Sequence, residues 1–339
     1  MTHGLIELFF FGTKFLLAII LLLFFLIGII AIITRGREKS NGQLEIKHLN
    51  KKFAEIKDNF QSEILSTTEY KKIHKDKKKL AKQQKKNNQE LRLKRIFLLD
   101  FQGDVKGSAV NHLREEITAI LNIATPNDHV MIKIESGGGM VHSYGLAASQ
   151  LARIREKNIP LTAIIDKVAA SGGYLMACVA NEIIAAPFSI IGSIGVILQL
   201  PNFNRLLKEK NIDFEQLTAG NFKRTLTIFG ENTEEGRAKM REELEAIHQQ
   251  FKNLVLHYRP QIEINKVATG EHWSGLEAQK LNLVDTLQTS DDWILEKISA
   301  AELYEVSVKK QKTLAEKLFS SVKSAKLNLL NTDIYTSWI

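Results

Sequence analysis

The sequence predicts an α/β domain with a largely parallel sheet, preceded by one transmembrane helix and a basic helical stalk. Three observations carry this prediction. An uninterrupted apolar run, FLLAIILLLFFLIGIIAII, spans Phe15 to Ile33 and is long enough as a helix to cross a hydrocarbon core of about 30 Å. A stretch rich in Lys, Gln and Asn follows it. From Ile96 onward, short apolar strands alternate with helical segments, the order expected of βαβ units.

Composition bounds the rest. At 339 residues the chain holds one large domain or two small ones, and 44% hydrophobic content supplies a sizeable core. The net charge of +8 is concentrated between Arg35 and Arg95, where YKKIHKDKKKLAKQQKKNNQ is almost free of acids. Such a block reads as a solvated segment, with an anionic-lipid contact as the sharper alternative. Nucleic acid is not expected as a partner. Cys178 is the sole cysteine, so no intrachain disulfide forms and cysteine usage does not identify the compartment. Neither a cofactor nor a metal is implied.

Taken in order, residues 1–34 form the anchor. The apolar run exceeds a signal-peptide core, and Ala31-Ile32-Ile33 lacks the small-x-small pattern of a cleavage site. Arg35, Arg37 and Lys39 follow the span and Lys14 precedes it, which favours a cytoplasmic C-terminal bulk. Large domains that translocate escape that rule, so both orientations stay open. Residues 35–94 form the stalk, helical or partly disordered, with Leu44, Ile46, Leu49, Phe53 and Ile56 at loose helical spacing. The α/β domain occupies 95–300. Its strands are RIFLLDF, HVMIKIES, LTAIID and EIIAAP, with helices from about Ser108 to Leu121, from about Tyr144 to Lys157 and after Ser171. Ile183 to Leu200 is apolar but broken by Pro187, Ser189, Gly192, Ser193 and Gly195, and reads as a core strand and turn. Glu234 to Tyr258 is strongly helical and charged. Residues 301–339 supply a last strand and an amphipathic helix with Leu314, Leu318, Phe319, Val322 and Ala325 on one face.

Two glycine-bearing loops sit at predicted strand ends, ESGGGM (Glu135 to Met140) and ASGG around Ser171. In parallel sheets the ligand crevice lies at the carboxyl ends of the strands, so both loops open on one edge. Ser171 stands at a strand-to-helix turn, where the first helical amides lack intrahelical partners and the dipole adds positive charge. An oxyanion forming there meets ready-made donors, and Gly172 and Gly173 clear room for a substrate backbone. The plainer reading is an N-capping serine followed by turn glycines.

A serine nucleophile needs a base. No histidine lies between Ser171 and His248, which excludes a triad with its histidine shortly after the serine. His142 is one candidate. The other is Lys223 in TAGNFKRTLT, a glycine turn leading into strand-like alternation in which Lys223 and Arg224 face opposite ways. Arginine stays protonated, whereas a lysine serves if burial lowers its pKa from about 10.4 toward 7. Phe222 and Leu226 offer apolar surroundings.

The motifs ESGGGM, DKVAASGGYLMA, APFSIIGSIGV and TAGNFKRT, in this order and spacing, resemble the S49 serine peptidases, the signal peptide peptidase A group. The likeness spans roughly Arg95 to Asp292 and most of the anchor. The anchor, the basic stalk, PNFNRLLKEKNID and GENTEEGR look most like a membrane-anchored branch found in gram-negative bacteria. The resemblance implies a ClpP/crotonase-like fold and a Ser-Lys dyad of Ser171 and Lys223. It assigns oxyanion donors to Gly138 or Gly139 and to Gly172, and makes Ser193 a support for the lysine amine. It further implies a homo-oligomeric ring in which neighbouring subunits can complete the dyad, and a place in the bacterial inner membrane.

Two departures from the family pattern stand out. Gly137 replaces the proline of S-P-G-G, which loosens the loop by about 1 kcal/mol. Asn282 in LNLVD replaces a glycine, a mild change because asparagine tolerates a left-handed cap. Trp273 in EHWSGLEA reads as core packing.

The expected function is a membrane-anchored serine endopeptidase that hydrolyses extended peptides near the bilayer, such as signal-peptide or membrane-protein remnants, through an acyl-enzyme. The alternatives are a non-catalytic membrane scaffold of the same fold, or a crotonase-type acyl-CoA enzyme.

Overall fold

The computed structural model describes residues 12–17, 19–25, 42–86 and 94–309. Two units are distinguished, 1–43 with 309–339, and Leu44–Val308. In the first, α1 covers residues 12–17 and 19–25. It takes in part of the predicted span Phe15 to Ile33, whose remainder, 26–33, lies outside the described residues. Among the described residues no helix is long and apolar enough to cross a membrane. The amphipathic tail expected beyond Lys309 also lies outside them.

The second unit begins within β1 (Gln43–His48), followed by α2 (Leu49–Ile64) and α3 (Thr67–Lys86). The next elements are β2 (Lys94–Gly103), α4 (Val110–Leu121), β3 (His129–Ser136), α5 (Val141–Glu156), β4 (Leu161–Ile165), β5 (Val168–Ala170), α6 (Gly172–Ala177), β6 (Glu182–Ala185) and β7 (Ile190–Gly192). α7 (Asn204–Glu209), α8 (Glu234–Tyr258), α9 (Ile264–Val267), β8 (His272–Ser274), α10 (Gly275–Lys280), β9 (Thr286–Leu287), α11 (Ser290–Lys297) and β10 (Ala301–Lys309) complete it.

The largely parallel sheet is as expected. Its main path runs β1-β10-β2-β3-β4-β6-β9, with β5, β7 and β8 extending from β3 as a side branch. β10-β2, β2-β3, β3-β4 and β4-β6 are all parallel, and β7-β8 is antiparallel. Both faces are covered, which is why the central strands read as continuous apolar runs. Phe97, Leu99, Ile132 and Ala163 join one core with Leu113 and Ile117 of α4, Leu151 of α5 and Val255 of α8. Ile96, Leu98, Met131 and Ile164 point the other way, onto Leu49 of α2 and Trp293 of α11. Residues that the sequence assigned to stalk and tail are therefore built into the sheet and its covering layer.

α3 carries the basic block. Tyr70 donates to Asp58 of α2 at 3.2 Å and His74 pairs with the same carboxylate at 2.8 Å. That pinning turns Lys71, Lys72 and Lys75 to solvent.

Asn282 follows α10 with φ 60°, the left-handed cap that the sequence allowed, while Leu283 N donates to Ala278 O at 2.9 Å. Arg259, 3% exposed, grips Asp285 through two bonds of 2.7 and 2.8 Å and donates to Asn282 O at 2.9 Å. The Asp285 carboxylate also accepts from Ile183 N at 2.7 Å. This bidentate pair ties the end of α8 to β6 and to the turn after α10.

Glu116 of α4 accepts from Val308 N of β10 at 2.8 Å while 7% exposed. Burial, opposed by that bond and reinforced by Asp100 and Glu115, raises its pKa from 4.5 to about 7. A carboxyl raised on folding favours the native state below its unfolded pKa and loses that contribution as pH rises through 7, here on the order of 3 kcal/mol. Glu116→Gln is expected to raise the unfolding temperature at pH 8 and to change it little at pH 4, as measured by thermal unfolding across pH. An equal shift at both values would contradict this account.

Candidate functional site

β5 is short and held on both sides. Ala169 pairs with Ser136 of β3, and Val168–Ala170 pair with Ile190–Gly192 of β7, all in parallel. β5 separates LTAIID from Ser171, a strand that the sequence reading ran together with the turn. α6 begins at Gly172, directly after Ser171, and is six residues long. To pass from β5 into α6 the chain puts Ser171 at φ 51°, ψ −118°, a region costing a non-glycine residue about 1–3 kcal/mol. Bonds on either side enforce it, Ser171 N to Gly192 O at 2.8 Å and Leu175 N to Ser171 O at 2.9 Å. Ser171 occupies the N-cap position, yet its side chain makes no capping bond. The hydroxyl is therefore not consumed by the helix, which answers the plainer reading.

Glycines surround the serine because nothing larger fits. A Cβ on Gly138, whose φ is +88°, would lie 2.6 Å from Gly172 N and 2.8 Å from Ser171 Cβ. One on Gly172 would meet Tyr144 Cγ at 2.4 Å, and one on Gly139 would meet Val105 O at 2.1 Å. Ser171, Gly138, Gly139 and Gly172 are thus brought together at the carboxyl ends of β3 and β5, the edge that the sequence predicted. The Gly138 amide already donates to Ser136 Oγ at 3.1 Å. Among the described residues, no hydrogen-bond partner is recorded for the Gly139 and Gly172 amides.

Ser171, Gly139 and Gly172 line a cavity of about 330 Å³ whose walls are largely apolar, with Leu175 of α6 and Phe251 and Leu254 of α8. Lys223 lies elsewhere. It is exposed on the segment between α7 and α8 and lines a separate groove of about 670 Å³ with Leu217, Arg224 and Phe229, sharing no residue with the serine cavity. The strand-like alternation expected at TAGNFKRTLT is not formed. Among the described residues no partner strand pairs with it, Lys223 N donates to Gly220 O at 3.2 Å, and Lys223 and Arg224 are both exposed. Within one chain, serine and lysine are not brought together.

Ser193 follows β7, next in register to Ser171, with φ 51° and its amide donating to Glu271 O at 2.6 Å. His142 is exposed at the start of α5 and does not line the cavity. Trp273 packs as expected, its ring 2.7 Å from where a Cβ on Gly192 would sit.

Sequence reasoning missed two features. α8 is a wall of the cavity, signalled only by Ile247, Phe251 and Leu254 at helical spacing in a charged segment; from the same helix His248 contacts Ile194 O at 3.2 Å. Tyr144, 0% exposed, sits behind Gly172 and hydrogen-bonds Ser136 at 2.6 Å. A lone tyrosine in a helical stretch gave no signal of this.

The chain is also similar to known proteins. Residues 3–151 match the model described as Peptidase family S49 N-terminal, and residues 153–304 that of Peptidase family S49. The chain is 45% identical over 93% of its length to "Probable protease SohB" of Haemophilus influenzae, covering 92% of that protein. It is 48% identical over 85% of its length to the protein of the same name from Buchnera aphidicola subsp. Schlechtendalia chinensis, covering 97% of it. Among solved structures, a mutant of the 1510-N membrane-bound stomatin-specific protease is similar over 60% of this chain and 84% of that one, at 15% identity and a TM-score of 0.41. That likeness is too low to carry an argument.

The glycine loop is unevenly constrained. A Cβ on Gly137 meets nothing within 4 Å, whereas one on Gly138 combines a close contact with a positive φ. Thermal unfolding is expected to show Gly138→Ala destabilised by about 2 kcal/mol or more and Gly137→Ala nearly unchanged. Equal losses in the two variants would contradict the site's packing.

Proposed function

We propose, from the premise that this chain belongs to peptidase family S49 and is a serine-type peptidase, that Ser171 is its nucleophile and that Lys223 of a neighbouring subunit is its general base. The observation that carries this reading is the Ser171 turn. A hydroxyl left free by a strained N-cap stands beside two amides without recorded partners, at the mouth of an apolar cavity. Such a turn projects the nucleophile while neighbouring amides receive the developing charge.

The sequence of events follows from that placement. Ser171 Oγ attacks the scissile carbonyl as its proton passes to the unprotonated lysine amine. The tetrahedral oxyanion is held by the Gly139 and Gly172 amides. Collapse of this intermediate expels the amine half of the peptide, which takes the proton from lysine. Water activated by the same lysine then releases the acyl half from Ser171. The cavity of about 330 Å³ suits one apolar side chain on the acyl side of the cut.

The exposed position of Lys223 within one chain supports assembly as the step that completes the dyad. The segment around it displays Leu217 at 95%, Phe222 at 49% and Phe229 at 43% exposure, and Ile197, 76% exposed, lies at the serine cavity. An apolar strip of this kind marks a surface to be covered, and a second copy in a homo-oligomeric ring covers it and dries the amine together. Ser193, adjacent to Ser171 across β5 and β7, is suited to accept a hydrogen bond from that amine.

We also infer that residues 1–34 anchor the protein in the bacterial inner membrane through the apolar run 15–33, and that the basic segment 35–94, part of which is built into the sheet and its covering layer, joins the anchor to the peptidase. The exposed lysines of α3 suit an anionic lipid surface. Substrates are then extended peptides presented close to the bilayer, including remnants of signal peptides and membrane proteins.

The test uses the detergent-solubilised full chain. Ser171→Ala and Lys223→Ala are each expected to abolish peptide cleavage while leaving the oligomer intact, and subunits of the two variants reassembled together are expected to regain activity. Cleavage retained by either single variant would exclude the dyad and favour a scaffold role.

A further inference from the structure

We propose that Ser136 and Tyr144 are positioning residues for the oxyanion site, acting through a hydrogen-bond chain that starts at the Gly138 amide and ends at the Asp104 carbonyl. This inference rests on the reading of Ser171 as nucleophile.

The direction of the chain follows from counting protons. Tyr144 Oη has one hydrogen and donates it to Asp104 O at 2.8 Å. At its 2.6 Å contact with Ser136 Oγ it therefore accepts. Ser136 Oγ directs its one hydrogen at Tyr144, 2.6 Å away, in preference to Gly103 O at 3.5 Å, and accepts from Gly138 N–H at 3.1 Å. Every donor points the same way, and in a dry site such bonds reinforce one another. The site is dry, since Tyr144 is 0% and Ser136 1% exposed.

Three further contacts fix the loop after β2 against the loop after β3 and the first turn of α5. Met140 N donates to Val105 O at 2.9 Å, Ser143 Oγ donates to Lys106 O at 2.9 Å, and Gly139 packs against Val105 O. The tyrosine ring, meanwhile, is the surface on which Gly172 rests. One side chain thus sets both halves of the donor pair. Its hydroxyl controls the loop bearing Gly139, and its ring backs Gly172.

This arrangement also explains how the loop manages without proline at position 137. A proline restricts the backbone covalently, whereas here the hydroxyl chain restrains the next residue from within the core. Position 137 leaves room for a proline ring. A Cβ at position 137 meets nothing within 4 Å, and no bond from the Gly137 amide is recorded among the described residues. Ser136 ends strand β3, the extended conformation that a following proline requires.

The experiment measures cleavage kinetics and the rate at which a fluorophosphonate labels Ser171 in the assembled full chain, at 25 °C. Tyr144→Phe and, as a smaller perturbation, Ser136→Ala are expected to lower kcat and the labelling rate by about 10- to 100-fold with KM within about twofold. Gly137→Pro is expected to change the parent enzyme less than about threefold and to restore most of the loss in Tyr144→Phe. A hydroxyl pair that merely satisfied the core would lower the unfolding temperature and leave kcat at 25 °C unchanged. That result, or a proline that rescues nothing, overturns the inference while labelling of the parent at Ser171 upholds the nucleophile. A parent enzyme labelled elsewhere overturns both.

Discussion

The left-handed backbone of Ser171 is the constraint on which the rest of the site depends. A helix that starts one residue after a three-residue strand requires an abrupt change of direction, and that change falls on Ser171, the proposed nucleophile. The cost, about 1–3 kcal/mol, is offset by neighbours that leave the chain no other course. β3 and β7 hold β5 from both sides, and Gly192 O receives the serine amide at 2.8 Å. Because the turn, and not a capping bond, sets the residue's position, the hydroxyl remains available.

The surrounding sequence follows from this geometry. Glycines at 138, 139 and 172 are required by contacts of 2.1–2.6 Å that any Cβ would make. Gly192 is required by the Trp273 ring and by its own φ of +108°. The sheet supplies rigidity from below, with β2 and β3 carrying the two loops that interlock through Tyr144 and Val105. The Arg259–Asp285 pair closes the far side by tying α8, a wall of the cavity, to the sheet.

Much of this was legible in the sequence, for physical reasons. β3 was read with its observed limits because HVMIKIES is buried on both faces and bounded by turn residues. α8 was read over its observed span, and Thr233 caps it by accepting from Gly236 N at 3.1 Å. Asn282 was legible because few side chains tolerate its φ of 60°. β5 and β7 were hidden, since three-residue strands leave too short a pattern to separate from the turns beside them. The alternation around Lys223 misled because a strand needs a partner, and none pairs with it among the described residues. Tyr144 was invisible, since its role arises from residues 40 positions away at Asp104.

The central claim is that the Ser171 turn presents a nucleophile to two waiting amides. The most direct measurement is a crystal structure of the full chain after reaction with a fluorophosphonate. The account predicts phosphorus bonded to Ser171 Oγ, with its oxygen within about 3 Å of the Gly139 and Gly172 amides. An adduct on another residue, or an oxygen turned to solvent away from both amides, would contradict it.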